Sequence, residues 1–580
     1  MTSAPTIARR LFAAVIAAAL PVAALVAQEK AETNDAAVAL DKRIIDAAPK
    51  DTQIMKNLQY LSDQIGPRLT GSESLHRANE WAAEMMKSYG LENVHQEGWE
   101  VPTGWERGTA WARVVEPNNG RSLTIASQAW SPGTKGRVVG DVVVIEARTS
   151  QDLDKYRGKL KNAIILRGKP ADVPSINTPG GPMGRRGRGE RDGAPKDAKD
   201  SKDAKDAKDA KKADAPEKGS PPGKLPDAPA NRVGRPGAPD GFDFTRARQF
   251  ARELSDFLKA EGAAVILQDS NKPQGLIVTG GSWRRGNNDR VSAQEAMASA
   301  YIAHEHYAML YRLATRPAPA STRLEIEITN KFTGPTTCYN TIGEIPGAKK
   351  PGEVVVLGAH LDSWDLGSGT TDNGTGSCIV LETARILKKL GVQPDRTIRF
   401  ILFTGEEQGL IGSGKYVEQH KADLAKISMC LVHDTGTGKV EGIALSGYEA
   451  VKPIMERELL SLKPLGVTNI SIGGLMAGGS DHGSFANAGV PGFAVTQDMS
   501  EYWLTHHTQS DTFDKVHEEN LIQGAQVLAV SAVRVANLPN LLPRDRPQRA
   551  GRVGRGGGDP AKKDEGKKDE PKKADPAKAG

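Results

Sequence analysis

Glu353-Val354-Val355-Val356-Leu357-Gly358-Ala359-His360-Leu361-Asp362 is the stretch on which the reading of the fold turns. After Glu353 the run is continuously apolar to Leu357, as a strand buried on both faces of a parallel sheet must be. It ends by delivering a histidine and a carboxylate. Outward toward the C-terminus, Thr383–Leu390 reads as a helix closed by Gly391, and Thr397–Phe403, Ile427–Val432 and Pro491–Thr496 read as further strands. Strand and helix alternate. The pattern predicts an α/β fold over 323–542, with a mostly parallel or mixed sheet sandwiched by helices.

Chemistry-bearing residues follow each strand. After the first come His360, Asp362 and, past a glycine-rich loop, Asp372-Asn373-Gly374. Gly405-Glu406-Glu407 follow the second, Asp434 the third, and His506-His507-Thr508 with Asp511-Thr512 the fourth. Open α/β sheets bind ligands beyond the carboxyl ends of their strands, so separate segments bring His, Asp and Glu to one edge. Carboxylates gathered there repel one another unless cations neutralise them. Histidines with several carboxylates suit divalent metals, zinc first among them. The donors exceed the need of one tetrahedral ion; two ions about 3.5–4 Å apart, bridged by one carboxylate, would use them all. Singly, each motif has a plainer reading. His360-Leu361-Asp362 could be structural, Glu406-Glu407 a solvated pair at a helix start, Asp434 a helix cap and His507 a surface residue. Their joint order carries the metal reading.

These residues stand in strings that resemble the co-catalytic zinc exopeptidases of clan MH. The strings are Gly358-Ala359-His360-Leu361-Asp362-Ser363-Trp364-Asp365, Thr371-Asp372-Asn373-Gly374, Thr404-Gly405-Glu406-Glu407-Gln408-Gly409, Gly479-Ser480-Asp481-His482, Gly489-Val490-Pro491-Gly492 and His506-His507-Thr508. The likeness covers most of 40–540 and is most specific in 354–512. It implies two zinc ions bridged by Asp372, with His360 and Asp434 completing one site and Glu407 and His507 the other. The family pattern sets His directly before Thr, which favours His507 over His506. It also implies that Glu406 is the general base, taking a proton from a metal-bridged water and returning it to the leaving amine. Asp362 would stand behind His360 and orient it.

The activity implied is hydrolysis of peptide bonds near a terminus of peptides or dipeptides, as an aminopeptidase or a carboxypeptidase. Two alternatives on the same scaffold stay open. One is a glutaminyl cyclase; the other is a non-catalytic, receptor-like binding protein, whose known members lack the metal ligands present here. Asp481, His482 and Tyr502 are candidate substrate-pocket residues, while Trp364 and Trp503 suit pocket or core equally. In a strand His433 faces away from Asp434. Cys378 and Cys430 read as buried small hydrophobes; with Cys338 they are too few, and odd in number, for a disulfide framework.

Toward the N-terminus, residues 36–102 read as the first part of the catalytic domain. This block contains a helical pattern over Ile54–Ile65, a helix over Leu75–Tyr89 ended by Gly90, and a strand over Val94–Val101. Residues 103–321 form a second block with strands at Arg137–Ile145, Asn162–Leu166, Ala264–Leu267 and Gly275–Val278, and a helix at Thr245–Glu261. The resemblance implies that this block is an inserted, β-rich protease-associated domain.

The remaining sequence is filler. Arg9-Arg10 followed by an apolar run to Ala27 predicts an export signal over 1–27, loosely of twin-arginine type, and a secreted or periplasmic enzyme. The alternative, a membrane anchor, is disfavoured by the short run. Residues 175–240, with their Lys-Asp-Ala repeats, and 544–580 hold too few apolar residues to offset the entropy of ordering, and are expected to be disordered. The formal charge of +6 and pI near 8.9 suggest an anionic partner until the charges are placed. Residues 175–240 hold 15 Lys+Arg against 11 Asp+Glu, and 544–580 hold 12 against 7. With the two signal arginines removed as well, the folded remainder is net −5. The expected partner is therefore a peptide substrate, with no nucleic acid, and no membrane once the signal is removed. A homodimer is compatible with the sequence but not derivable from it.

Overall fold

A computed structural model describes residues 35–117, 120–173, 244–281, 296–317, 320–473 and 479–546. The expected signal, the Lys-Asp-Ala segment and the tail beyond 546 lie outside them. The central run became the strand Lys350–His360, in the middle of an eight-stranded mixed sheet. In spatial order the strands are Glu92–Val101, Thr336–Ile345, Arg396–Phe403, Lys350–His360, Ile427–Val432, Gly492–Gln497, Val440–Ala444 and Asn469–Ser471. Arg396–Phe403, Lys350–His360, Ile427–Val432 and Gly492–Gln497 are mutually parallel. The flanking strands pair antiparallel onto them.

Side-chain alternation explains why the central strand is apolar throughout. Val355, Leu357 and Ala359 pack into one layer with Phe400, Leu402, Met429 and Leu431. Val354 and Val356 pack into the opposite layer with Ile401, Phe403, Cys430 and Val432. Each such side chain contributes roughly 1.5–3 kcal/mol when fully buried, so neither face tolerates a polar residue. Helices Thr375–Lys389 and Glu518–Ala536 cover the first face, and both are buried along most of their length. Helices Ile411–Gln419 and His482–Asn487 cover the second. The helix expected from Thr383 starts earlier, at Thr375. Its first turn (Thr375-Gly376-Ser377) is too small and polar to show an amphipathic pattern, and is buried because it lies under the site.

A second eight-stranded sheet holds Ser122–Leu123, Ala110–Glu116, Arg323–Ile328, Val138–Val144, Ile164–Leu166, Val265–Asp269, Ser299–Ile302 and Ile125–Ser127, in that order. Its first and last strands are separated by the single residue Thr124, so the sheet curls back on itself. Leu324, Ile326, Val265, Leu267, Tyr307 and Leu310 form its own core. The chain enters and leaves this body through one antiparallel ribbon, Gly104–Glu106 with Lys331–Thr333.

The structure differs from the sequence reading in three further places. Arg323–Ile328 belongs to the second sheet, because Leu324, Ile326 and Ile328 alternate into its core; the boundary therefore falls at the ribbon rather than at 321–323. Gly275–Val278 is not a strand but a loop with one isolated bridge, Val278 to Thr508. The tail's first residues are docked: the Arg544 guanidinium donates to the carbonyls of Leu424, Ala425, Ile427 and Gly489. Among the described residues, no helix is long and apolar enough to cross a membrane.

Candidate metal centre

In-register pairing sets the geometry. His360 lies opposite Phe403, and Gly358 lies opposite both Ile401 and Val432. The segments leaving these strand ends therefore start side by side. Asp372 sits in the turn before helix Thr375–Lys389, and His507 just past the short helix Tyr502–Thr505.

Asp372 lies between the two histidines. Its Oδ1 is 3.4 Å from His360 Nε2, and its Oδ2 is 3.4 Å from His507 Nε2. Asp434 Oδ1 lies 3.0 Å from His360 Nε2, and Glu407 Oε2 lies 3.0 Å from His507 Nε2. Tetrahedral zinc with bonds of about 2.0–2.1 Å sets its ligand atoms about 3.3–3.4 Å apart, close to these separations.

The protonation chemistry points the same way. His360 Nδ1 is 2.9 Å from the Asp362 carbonyl oxygen. A carbonyl only accepts, so Nδ1 carries the hydrogen, and in the neutral ring a bare Nε2 faces two carboxylates. Such an arrangement needs a cation between the groups, either a proton or a metal. Without metal the proton wins: burial alone would lower the His360 imidazole, but Asp434, Asp362 and Asp372 outweigh it and hold it well above its ordinary value. Burial, reinforced by neighbouring carboxylates, pushes Glu406 and Glu407 well above the usual carboxylate range. His507 is lowered by burial, toward the neutral form a metal requires. Asp372 Oδ2 and Glu407 Oε1 are buried with no hydrogen-bond partner. The donor set fits two divalent cations.

The surrounding residues fix these groups. Asp511 accepts from the backbone N–H of Thr371 (2.5 Å) and of Asp372 (3.2 Å). Burial pushes Asp511 up to about 7. The Arg68 guanidinium is fully buried and donates to the carbonyls of Leu361, Gly66, Ser368 and Gly369, pinning both ends of the His360–Asp372 loop. His507 adopts a left-handed backbone, φ 57°. That conformation costs a non-glycine residue about 1–3 kcal/mol and persists only where the surroundings over-determine it.

Some expected roles are redistributed. His360 is oriented by the backbone carbonyl of Asp362, not by its carboxylate, which lies 3.6 Å from Nδ1. That carboxylate instead accepts from Thr70 Oγ1 and from the backbone N–H of Glu406 and of Glu407, holding the glutamate loop. Asp481 and His482 are buried rather than lining an open cleft, and Asp481 is pushed up to about 7 by burial. Tyr502 does border a cavity of about 620 Å³, shared with Thr505, Asp498, Glu501, Asp514 and His517. A much smaller cleft lies at the candidate centre itself, between Trp364, Asp372, Glu407 and His507. His506 stacks on His507 at 3.7 Å, so it shares the corner. His433 points away, against Gly524 of the long C-terminal helix.

Comparison with known proteins agrees with this geometry. Residues 340–532 match the model of Peptidase family M28. This stretch is similar to M28 peptidases. Mouse carboxypeptidase Q is 37% identical over 246 residues, which are 42% of this chain and 51% of that protein; the match thus spans about half of that relative's length. Bovine carboxypeptidase Q is 29% identical over 492 residues, covering 84% of this chain and 86% of its own. The crystal structure of a Peptidase M28 precursor from Shewanella amazonensis superposes with a TM-score of 0.65 at 25% identity, covering 89% of this chain and all of its own. A zinc aminopeptidase from Bacillus subtilis shares the fold, with a TM-score of 0.54 at 18% identity over 84% of this chain and 95% of its own. The resemblance to carboxypeptidase Q thus extends beyond the M28 domain, through the bovine relative.

Proposed function

We propose that this chain is an exported metallo-exopeptidase that holds two zinc ions and hydrolyses peptides near a terminus. One observation carries the reading: each oxygen of Asp372 faces a different histidine, at 3.4 Å in both cases. His360 and Asp434 would hold one ion, Glu407 and His507 the other, with Asp372 shared. When bound, the cations would acidify a water and polarise the scissile carbonyl.

The protein supplies the remaining steps. Glu406 follows the strand Arg396–Phe403, and Asp362 fixes its backbone N–H at 3.3 Å. Its carboxyl lies among the charges of His360, Asp434, Glu407 and Asp481, and burial raises its proton affinity. A carboxylate so placed takes the proton released as the carbonyl is attacked, then donates it to the leaving amine nitrogen. Glu406 and Glu407 are adjacent but divide the work: Glu407 faces His507, which leaves Glu406 free for the proton.

The test is a peptide panel with free and blocked termini, run with and without added zinc, on wild type and Glu406→Gln. We expect chelator-sensitive hydrolysis, and a loss of roughly 10²-fold or more in kcat for Glu406→Gln with zinc content unchanged. Full activity in that variant would overturn the mechanism. Ring closure of Gln-terminal peptides without hydrolysis would point to a cyclase, and folded wild type that takes up no zinc to a binding protein. Which terminus must be free tells aminopeptidase from carboxypeptidase. N-terminal sequencing of the mature protein from fractionated cells tests export.

A further inference from the structure

The loop 270–281 of the second body reaches the segment that presents His507. The Thr279 backbone N–H donates to the His507 carbonyl at 2.6 Å, and Thr279 Oγ1 donates to the same oxygen at 3.1 Å. One residue earlier, Val278 bridges Thr508. Ile277 N–H donates to Gln509 Oε1 at 2.7 Å, and Gln509 Nε2 donates back to the Gly275 carbonyl at 3.2 Å. Lys272 Nζ donates to the carbonyls of Trp503 and His506, the latter at 3.3 Å. It thereby caps the end of helix Tyr502–Thr505.

The loop is itself tied to the second sheet. Ser270 N–H donates to the Ile302 carbonyl at 3.0 Å, and Val278 N–H to Ser270 Oγ at 2.9 Å. Next to the same histidine, the Trp364 ring packs edge-on to His507 at 5.9 Å, and Gly281 is so close to Trp364 that an added Cβ would lie 3.2 Å from it. The bonds from Thr279 are what His507 needs to stay in its left-handed backbone with its carbonyl turned to the second body and its ring toward Glu407 and Asp372.

We infer that the second body positions His507, through Thr279 and Lys272, and so selectively sustains the metal site formed by Glu407 and His507. The inference rests on the two-metal reading. Neither residue is a proposed ligand; both bond the backbone around His507, and the Lys272 charge also reaches Asp372 and His507 through space. The His360–Asp434 corner receives no bond from Thr279 or Lys272: its loop is held by Arg68 from the catalytic domain and, at Asp365, by Arg107 of the second body, both left intact by changes at 272 and 279. The two sites should therefore respond differently.

The experiment uses the full chain with Thr279→Val and Lys272→Met combined, and Lys272→Arg as the conservative variant. Stepwise zinc affinities are measured by competition with a chromophoric chelator, and kcat and KM at several zinc concentrations. We expect one zinc equivalent to weaken about 10–100-fold, the range for residues behind a ligand, while the other keeps its affinity. The kcat should fall at low zinc and recover at high zinc, and Lys272→Arg should bind both ions nearly as wild type does. Unchanged affinity for both ions in the double variant overturns the inference. So does equal weakening of both, or loss of the folded circular-dichroism spectrum, either of which makes the contact a general structural one. Wild type that takes up fewer than two zinc ions refutes the two-metal reading itself, and this inference with it.

Discussion

Replacing Asp511 by asparagine changes one oxygen to an NH₂ group and little else, yet its partners make the consequence large. Both carboxylate oxygens accept from backbone, Thr371 N–H at 2.5 Å and Asp372 N–H at 3.2 Å, in a fully enclosed setting. Asparagine can keep one of these bonds; its NH₂ then meets the other N–H, donor against donor. A lost hydrogen bond to a charged group costs about 1.5–3 kcal/mol, and a buried unsatisfied N–H about 1–3 kcal/mol. The gross penalty is then about 2.5–6 kcal/mol, which a shift of the loop would relieve. That shift moves Asp372, which faces both histidines, so on the two-metal proposal both zinc sites should weaken together. We expect a loss of about 100-fold in affinity, near 2.7 kcal/mol at 1.36 kcal/mol per tenfold. Asp511→Ala should be milder, because the space it leaves can admit a water that accepts from both N–H groups. Chelator competition on the full chain measures this, with thermal unfolding as the folding control. Wild-type affinity in Asp511→Asn, or a larger defect in Asp511→Ala, would refute the reasoning.

Gly405→Ala should cost about 2–4 kcal/mol, since Gly405 has φ 72° and an added Cβ would lie 2.6 Å from the ring of buried Trp99; denaturant unfolding reads it, and a loss under 0.5 kcal/mol contradicts the packing. The pH dependence of zinc-free protein follows from Asp511 and Asp481, which sit at about 7 against an unfolded value of 3.8. The folded state then binds more protons across that window, so its stability falls as pH rises from about 4 to about 7. His360 acts in the same sense, its folded pKa lying above the ordinary 6.5. At the proposed ligand His360 zinc would take the place of the proton, so the gain in Tm on adding zinc should be greater at pH 7.5 than at pH 5; the reverse order would count against a proton held at His360 in the zinc-free protein.

What the sequence disclosed was governed by local pattern. Val354 to Leu357 could only be a strand buried on both faces, and His360, Asp372, Glu407, Asp434 and His507 each follow a strand that its apolar run makes visible. Arg68 carries no signal in the sequence, and Asp511 stands among the residues after the fourth strand without a role of its own, because what they hold is backbone, 293 to 301 positions away for Arg68 and about 140 for Asp511. No pattern of residue types encodes such a bond. Asp362 meets the His360 ring through its carbonyl, an atom every residue has, rather than through the carboxylate that the sequence singles out. Arg323–Ile328 alternates as a strand should, yet which of two sheets it joins depends on partners at Ala110–Glu116 and Val138–Val144 that lie far upstream. Asp481 and His482 are candidate pocket residues by sequence, but the helix they begin is packed under the sheet and buries both.

The ribbon through which the second body is attached has a consequence for taking the molecule apart. Val101 pairs with Thr336 and Gly104 with Thr333, so the cut ends of the catalytic chain would lie one strand spacing apart, about 4.7–4.9 Å. A short hairpin could join them, and the catalytic sheet would keep every one of its neighbours. Connectivity therefore permits the second body to be deleted cleanly. The trimmed enzyme would nevertheless lose Trp130 from its core, and the Arg107 fork that grips Asp365 at 2.7–2.8 Å. Modular wiring and shared packing have parted company in this chain, so a domain boundary drawn from the path of the backbone would cut through the machinery it was meant to isolate.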